Sequence, residues 1–245
     1  MRTIVFSQLK SVLYFTCLCS FSSLVPLQVF ASEGNSILIK NYENKLKDNP
    51  SDVETLLKIG IVYSEKNELT KAYDYLGRAR RLAPQNQNVS KEYAYVALRI
   101  DKGKEAKDIY TALAAQGDDD VVLFNLGTIA LSEKKSDEAL RYFRRAVTSN
   151  PANISALFAA GEVLYKNNQY KEAEVFFNKV LKINRNAVLA HLRIAQMFQK
   201  LDQKENAIKS YKALIAVASN DMTTWGPQIE YAKNQVAIVS VQRSK

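Results

Sequence analysis

A small residue returns along this chain at near-constant spacing. Gly60, Ala94, Gly127, Gly161 and Ala195 are separated by 34, 33, 34 and 34 residues. Twelve positions after each comes an alanine: Ala72, Ala106, Ala139, Ala173 and Ala207. Four later come Leu76, Tyr110, Phe143, Phe177 and Tyr211, and three beyond those Ala79, Leu113, Ala146, Val180 and Leu214. A period of this length marks a stack of like units, each too small to bury its own apolar face and each relying on its neighbours.

The residue types say what the unit is. Leu56, Ile59 and Tyr63 before the presumed turn, and Leu76 and Ala79 after it, follow the three-and-four spacing of amphipathic helices. A small residue on the first helix and an alanine on the second let the two axes approach closely, and the alanine is the expected counterpart of the small residue. Pro84 and Pro151 follow second helices, where a residue that cannot continue a helix marks the stop. Each unit therefore reads as a hairpin of two short helices.

The small residue, alanine, aromatic, alanine and terminal proline at these spacings resemble the tetratricopeptide repeat, over about residues 36–240. Departures are local. Ser90 and His191 stand where a large apolar residue is usual, Arg185 and Ser219 replace the proline, and the second unit is one residue short near Gly117. The resemblance implies an all-α fold, a right-handed superhelical solenoid of helix-turn-helix units, expected at 53–86, 87–119, 120–153, 154–187 and 188–221. Leu38, Tyr42 and Pro50 stand 34 residues before Ala72, Leu76 and Pro84, so residues 32–52 read as a partial unit. Trp225, Ile229 and Ala232 continue the first-helix pattern, so 222–245 read as a capping helix and tail, with Pro227 expected in the helix's first turn.

The first 31 residues read as an export leader. Arg2 and Lys10 give a positive start, 11–25 are mostly apolar, and Val29-Phe30-Ala31 offers a cleavage site. An uncleaved anchor fits less well, because Ser20, Ser22, Ser23, Pro26 and Gln28 interrupt the apolar span. The bacterial periplasm is the expected address, with secretion or membrane anchoring as alternatives. In a eukaryotic secretory route, Asn88-Val89-Ser90 and Asn153-Ile154-Ser155 would be glycosylation sequons. Both cysteines lie in the leader, so the remainder could form no disulfide. The chain carries 34 Lys and Arg against 25 Asp and Glu, and stays basic without its leader.

Catalytic chemistry finds little purchase here. His191 is the single histidine and is expected to pack on its helix beside Val188, Ile194 and Ala195. Asp118-Asp119-Asp120 precede a helix expected to start near Val121, where carboxylates cap free amides. The glycines are dispersed and form no phosphate loop. The expectation is a chain that is no enzyme and takes no cofactor or metal.

The resemblance implies instead that one face of each first helix lines a concave groove. Carried over, that face holds Leu57 and Ile61, then Lys91, Tyr95 and Arg99, then Phe124 and Thr128, then Phe158, Glu162 and Tyr165, then Leu192 and Gln196. Two readings stand: burial by neighbouring repeats, or a groove for a peptide or protein with apolar or aromatic side chains, with Lys91 and Arg99 supplying charge at one end. Family members that clamp a terminal carboxylate use lysine and asparagine where this chain has Leu57 and Ile61, which disfavours that role.

The cations Arg78, Arg80, Arg81, Arg141, Arg144, Arg145, Lys179, Lys182, Lys209 and Lys212 recur toward the ends of second helices. They read either as dipole complements and solvation or as contacts to an anionic envelope surface. Nucleic acid is not expected as a partner. Val236-Ala237-Ile238-Val239 and Val241 exceed one packed face, which gives either a homodimer contact through the tail or a helix with both apolar sides wrapped. The function expected is a non-catalytic scaffold of the cell envelope, assisting assembly of an envelope or secretion complex. The alternative is a carrier subunit of an envelope polysaccharide or lipid enzyme system.

Overall fold

The computed structural model describes residues 27–243, with side chains over 36–241. The expected leader lies outside the described residues except for 27–31, which open the first helix. All described elements are helices, and they form two compact units divided after Glu133. The first unit contains α1 (Leu27–Asp48), α2 (Val53–Glu65), α3 (Leu69–Leu82), α4 (Gln87–Arg99), α5 (Gly103–Ala114) and α6 (Asp120–Ser132). The second contains α7 (Ser136–Ser149), α8 (Ile154–Lys166), α9 (Tyr170–Ile183), α10 (Val188–Lys200), α11 (Lys204–Ala218) and α12 (Met222–Arg243). Among the described residues, no helix is long and apolar enough to cross a membrane.

The first helices begin where side chains satisfy free amides. Asp52 accepts from the Glu54 amide, Asn86 from Asn88 and Val89, Asp119 from Val121 and Val122, and Asn153 from Ala156. The acidic run at 118–120 thus contributes a cap, as its placement predicts. At the fifth such position Ala187 offers no side-chain acceptor.

A second periodic feature follows the first helices. Asn67, Asp101, Lys134, Asn168 and Asp202, each seven positions after a small residue, adopt left-handed backbone with φ between 56° and 65°. There the Asn67 amide donates to the Ser64 carbonyl (3.0 Å) and the Glu68 amide to the Tyr63 carbonyl (2.9 Å), which ends α2 and aims the chain into α3. The Gln169-to-Leu164 and Gln203-to-Phe198 bonds, both 2.8 Å, repeat the device. Asn and Asp tolerate this region because their short side chains bond locally. Lys134 has no such compensation.

Close packing within the hairpins follows a different pairing from the one expected. A Cβ on Gly60 would stand 2.6 Å from Leu76 Cγ, and one on Gly161 2.8 Å from a Phe177 ring carbon. The counterpart of the small residue is therefore the large residue four positions beyond the alanine. Removing the Cβ lets that side chain lie flat across the first helix, and Leu76 and Phe177 are fully buried.

The terminal helices differ from the repeated ones. On α1, Ile39 and Leu46 are buried while Ile37 and Leu38 stay exposed. Helix α12 packs Ile229 and Ala232 into a cluster with Val188, Ala195, Ala207, Tyr211, Leu214 and Ala218. It begins earlier than Pro227 predicts, because Asp221 accepts from the Thr224 amide through its side chain and from the Trp225 amide through its carbonyl, both at 3.0 Å. Pro227 therefore lies in the second turn, inside the helix, where its ring is exposed and costs a backbone bond. Ile229, Ala232 and Val239 form one buried stripe, but Ile238 (47%) and Val241 (62%) are exposed, so the helix does not wrap both apolar sides.

Candidate protein-interaction face

In the first unit, Leu57 and Ile61 lie one turn apart on α2, both half-buried. Arg99, in the last turn of α4, reaches back to that helix. Its Nη1 donates to the Ser64 carbonyl (3.1 Å) and Oγ (3.3 Å), and its Nη2 to Asn67 Oδ1 (2.7 Å). The same guanidinium stacks over Tyr95, 5.5 Å from the ring centre. Lys91 is also committed, its Nζ lying 2.9 Å from Asp119 Oδ2. Burial alone would raise the Asp119 carboxyl, but Lys91 and the two capped amides outweigh it and hold the group below the ordinary aspartate range.

The two cations assigned to one end of a groove thus stitch repeats together. A ligand would meet the rings of Tyr95 and half-buried Phe124 more readily than free charge. Thr128 donates to the Phe124 carbonyl (3.0 Å) and is buried, so it backs this face and does not line it.

The second unit groups its residues around an arginine that the sequence reading passed over. Arg193 on α10 makes a two-pronged contact with Glu162 on α8: Nε donates to one carboxylate oxygen and Nη2 to the other at 3.0 Å. Its Nη1 donates to Gln196 Oε1 (2.8 Å), and the guanidinium lies over Tyr165, 5.5 Å from the ring centre. Burial disfavours the Arg193 charge, yet Glu162 more than compensates and holds the group above its ordinary range. The available signal was the Glu162–Arg193 separation of 31, one period less one helical step.

Tyr165, Glu162 and Gln196 are thereby brought together. Phe158 is not available beside them: it is buried, edge-on to Phe177 at 5.3 Å, and belongs to the core. Leu192 packs at the margin of the terminal cluster. Helix α12 adds Tyr231, 39% exposed and edge-on to Tyr211 at 6.1 Å, and Gln235, which accepts from Gln199 at 2.9 Å.

His191 is half-buried, and its Nε2 lies 3.0 Å from the Arg185 carbonyl. A carbonyl only accepts, so Nε2 carries the proton and pins the turn before α10. Among the described residues, no group of three or more His, Cys, Asp or Glu side chains could hold a metal ion.

A polar cluster inside the first unit was also missed. Tyr73 on α3 and Tyr93 on α4 donate to the two Glu105 oxygens on α5 at 2.9 and 2.7 Å, and the Lys102 ammonium lies 3.9 Å from the Tyr73 ring centre. Desolvation pushes the Glu105 carboxyl up, but the two phenols and nearby Lys102 and Arg80 bring it below its ordinary value. The cluster ties three helices together.

Residues 130–196 match one tetratricopeptide-repeat family model and residues 189–221 match a second. This part of the chain carries tetratricopeptide repeats. The chain is 23% identical over 212 residues to anaphase-promoting complex subunit 3 of Schizosaccharomyces pombe, covering 84% of this chain and 30% of that protein. This chain thus spans less than a third of that relative's length. Among solved structures, it resembles YrrB, a tetratricopeptide-repeat protein with an unusual peptide-binding site, at 22% identity and a TM-score of 0.59 over 79% of this chain and 97% of YrrB. It also resembles PilF of Pseudomonas aeruginosa at 20% identity and a TM-score of 0.61, over 78% of this chain and 89% of that one. These likenesses show the all-helical repeat fold.

Proposed function

We propose that this chain is a non-catalytic scaffold of the cell envelope that holds a partner protein or peptide against the exposed sides of its first helices. The observation that carries the reading is the disposition of Tyr95 and Tyr165. Each is half-buried, with an arginine fixed over its ring by other protein groups. A rigid aromatic surface of this kind gives contact area at little entropic cost, which suits capture of apolar or aromatic side chains. The committed arginines do not favour an acidic peptide, and the leader pattern of residues 1–31 supports the envelope address.

The test is affinity capture from native envelope extract with the native chain and a Tyr95→Ala, Phe124→Ala, Tyr165→Ala variant of equal helicity. Loss of one client from the variant alone is expected. Capture of the same set by both would sink the proposal. The exposed Ile238 and Val241 support a second reading, pairing of two copies through the tail. Solution mass with and without residues 235–245 tests it, and a monomer in both forms would exclude it.

A further inference from the structure

Helices α7, α9 and α11 are the second helices of the later unit, and equal register positions on them face the same side. Arg141, Val175 and Lys209 share one such position, and Arg144, Asn178 and Lys212 another. The Arg144–Glu172 ion pair shows α7 and α9 side by side. Arg141, Lys182, Lys209 and Lys212 are exposed and make no hydrogen bond or ion pair among the described residues. Lys179 beside them only overlies Phe176, at 5.6 Å. The acids of these helices, Asp137, Glu138, Glu172, Glu174 and Glu205, sit among the first five residues of each, N-terminal to those cations on the same helix.

Helix dipoles account for Lys182, in the last turn of α9, but not for the other three cations. Their effect fades beyond the last turn, and Arg141 and Lys209 are each the sixth residue of a helix of 14 or 15. Val175 (51%) and Ile183 (45%) protrude among the cations. Charge without a fixed fork, spread over three helices and interleaved with aliphatic side chains, suits a diffuse anionic layer above hydrocarbon.

We propose that the second-helix face of the later unit docks on an anionic lipid bilayer, through Arg141, Lys182, Lys209 and Lys212 with Val175 and Ile183 entering the headgroup layer. This does not depend on the first-helix face. Each cation held near such a surface strengthens binding about fivefold, so four together contribute more than about 100-fold at low salt.

The test is co-sedimentation of the full chain with vesicles of phosphatidylcholine alone and with 30% phosphatidylglycerol. The leader is common to the native chain and every variant, so the difference between them reports the face. Changing Arg141, Lys182, Lys209 and Lys212 to glutamine should abolish the preference for phosphatidylglycerol vesicles. The same change at Lys58, Lys66, Lys71 and Lys107, which are paired in the first unit, removes as much positive charge and should leave the preference nearly intact. Val175→Ser with Ile183→Ser should weaken binding severalfold without erasing the preference. Equal loss from both quadruple variants would reduce the effect to net charge and overturn the proposal. It would also be overturned by vesicle binding indifferent to all four residues, including the case where only heparin retention depends on them.

Discussion

The two units use one repeat pattern and treat charge differently. In the first, side-chain pairs cross between repeats: Arg99 to Ser64 and Asn67, Lys91 to Asp119, Lys107 to Glu133, and Tyr73 to Glu105. Tyr63 joins α2 to α1 through Glu43, and its phenol is pushed up to about 12, first by burial and then by that carboxylate. In the second, the half-buried Arg193–Glu162 pair and the exposed Arg144–Glu172 pair accompany an apolar core around Phe143, Phe177 and Tyr211, while the second-helix cations Arg141, Lys182, Lys209 and Lys212 point to solvent. The difference teaches that the 34-residue pattern specifies the hairpins and leaves open what the charges do. Polar locks specify register in one half and free charge makes a surface in the other.

The comparison breaks most visibly at a core ring. Phe177→Ala should destabilise the second unit by about 4 kcal/mol, since the ring fills the space that Gly161 leaves open. Urea unfolding should show this loss with little change between pH 7 and pH 4. A loss below about 1 kcal/mol would mean the second unit does not rest on this contact.

Next in size is Glu105→Ala, expected to cost the first unit about 2 kcal/mol by removing the carboxylate that accepts from two phenols. Glu105 has a depressed carboxyl pKa, so its stabilisation is present above the unfolded value of about 4.3 and is lost as pH falls through the folded value. The gap between native and variant midpoints should therefore close on acidification, which the Phe177 variant should not do. A gap constant with pH would remove the polar lock from the account.

Caps sharpen the contrast within the second unit. Asn153→Ala should cost about 1 kcal/mol, and Ala187→Asn should return a similar amount to α10, the first helix without a side-chain cap. Differential scanning calorimetry of both variants would reveal any asymmetry. Smallest is Lys134→Asn, which should stabilise by about 0.5 kcal/mol by relieving a left-handed lysine. An unchanged midpoint would show that the turn carries no strain.

Much of the architecture was legible because small and large residues recur in fixed register, and packing leaves such a trace in one dimension. The left-handed turn residues were visible in the same way, seven positions after each small residue, but a mix of Asn, Asp and Lys hides a shared backbone requirement. The candidate face was only partly legible. Position shows which side of a helix a residue occupies but not what its neighbours do, so Arg99 and Lys91 read as free charge until Asn67, Ser64 and Asp119 were placed beside them. For the same reason sequence left both burial and groove exposure open for Phe158, which Phe177 decides for burial, and Arg193 was passed over because its partner lies on another helix. Pro227 misplaced the start of α12 because Asp221 caps the helix a turn earlier.

Hydrogen–deuterium exchange of the native chain with and without its captured partner tests the central claim most directly. The account predicts new protection in the first helices α4 and α8, which carry Tyr95 and Tyr165, and none along α9 and α11. Protection confined to the second helices, or absent from both Tyr95 and Tyr165 segments, would contradict it.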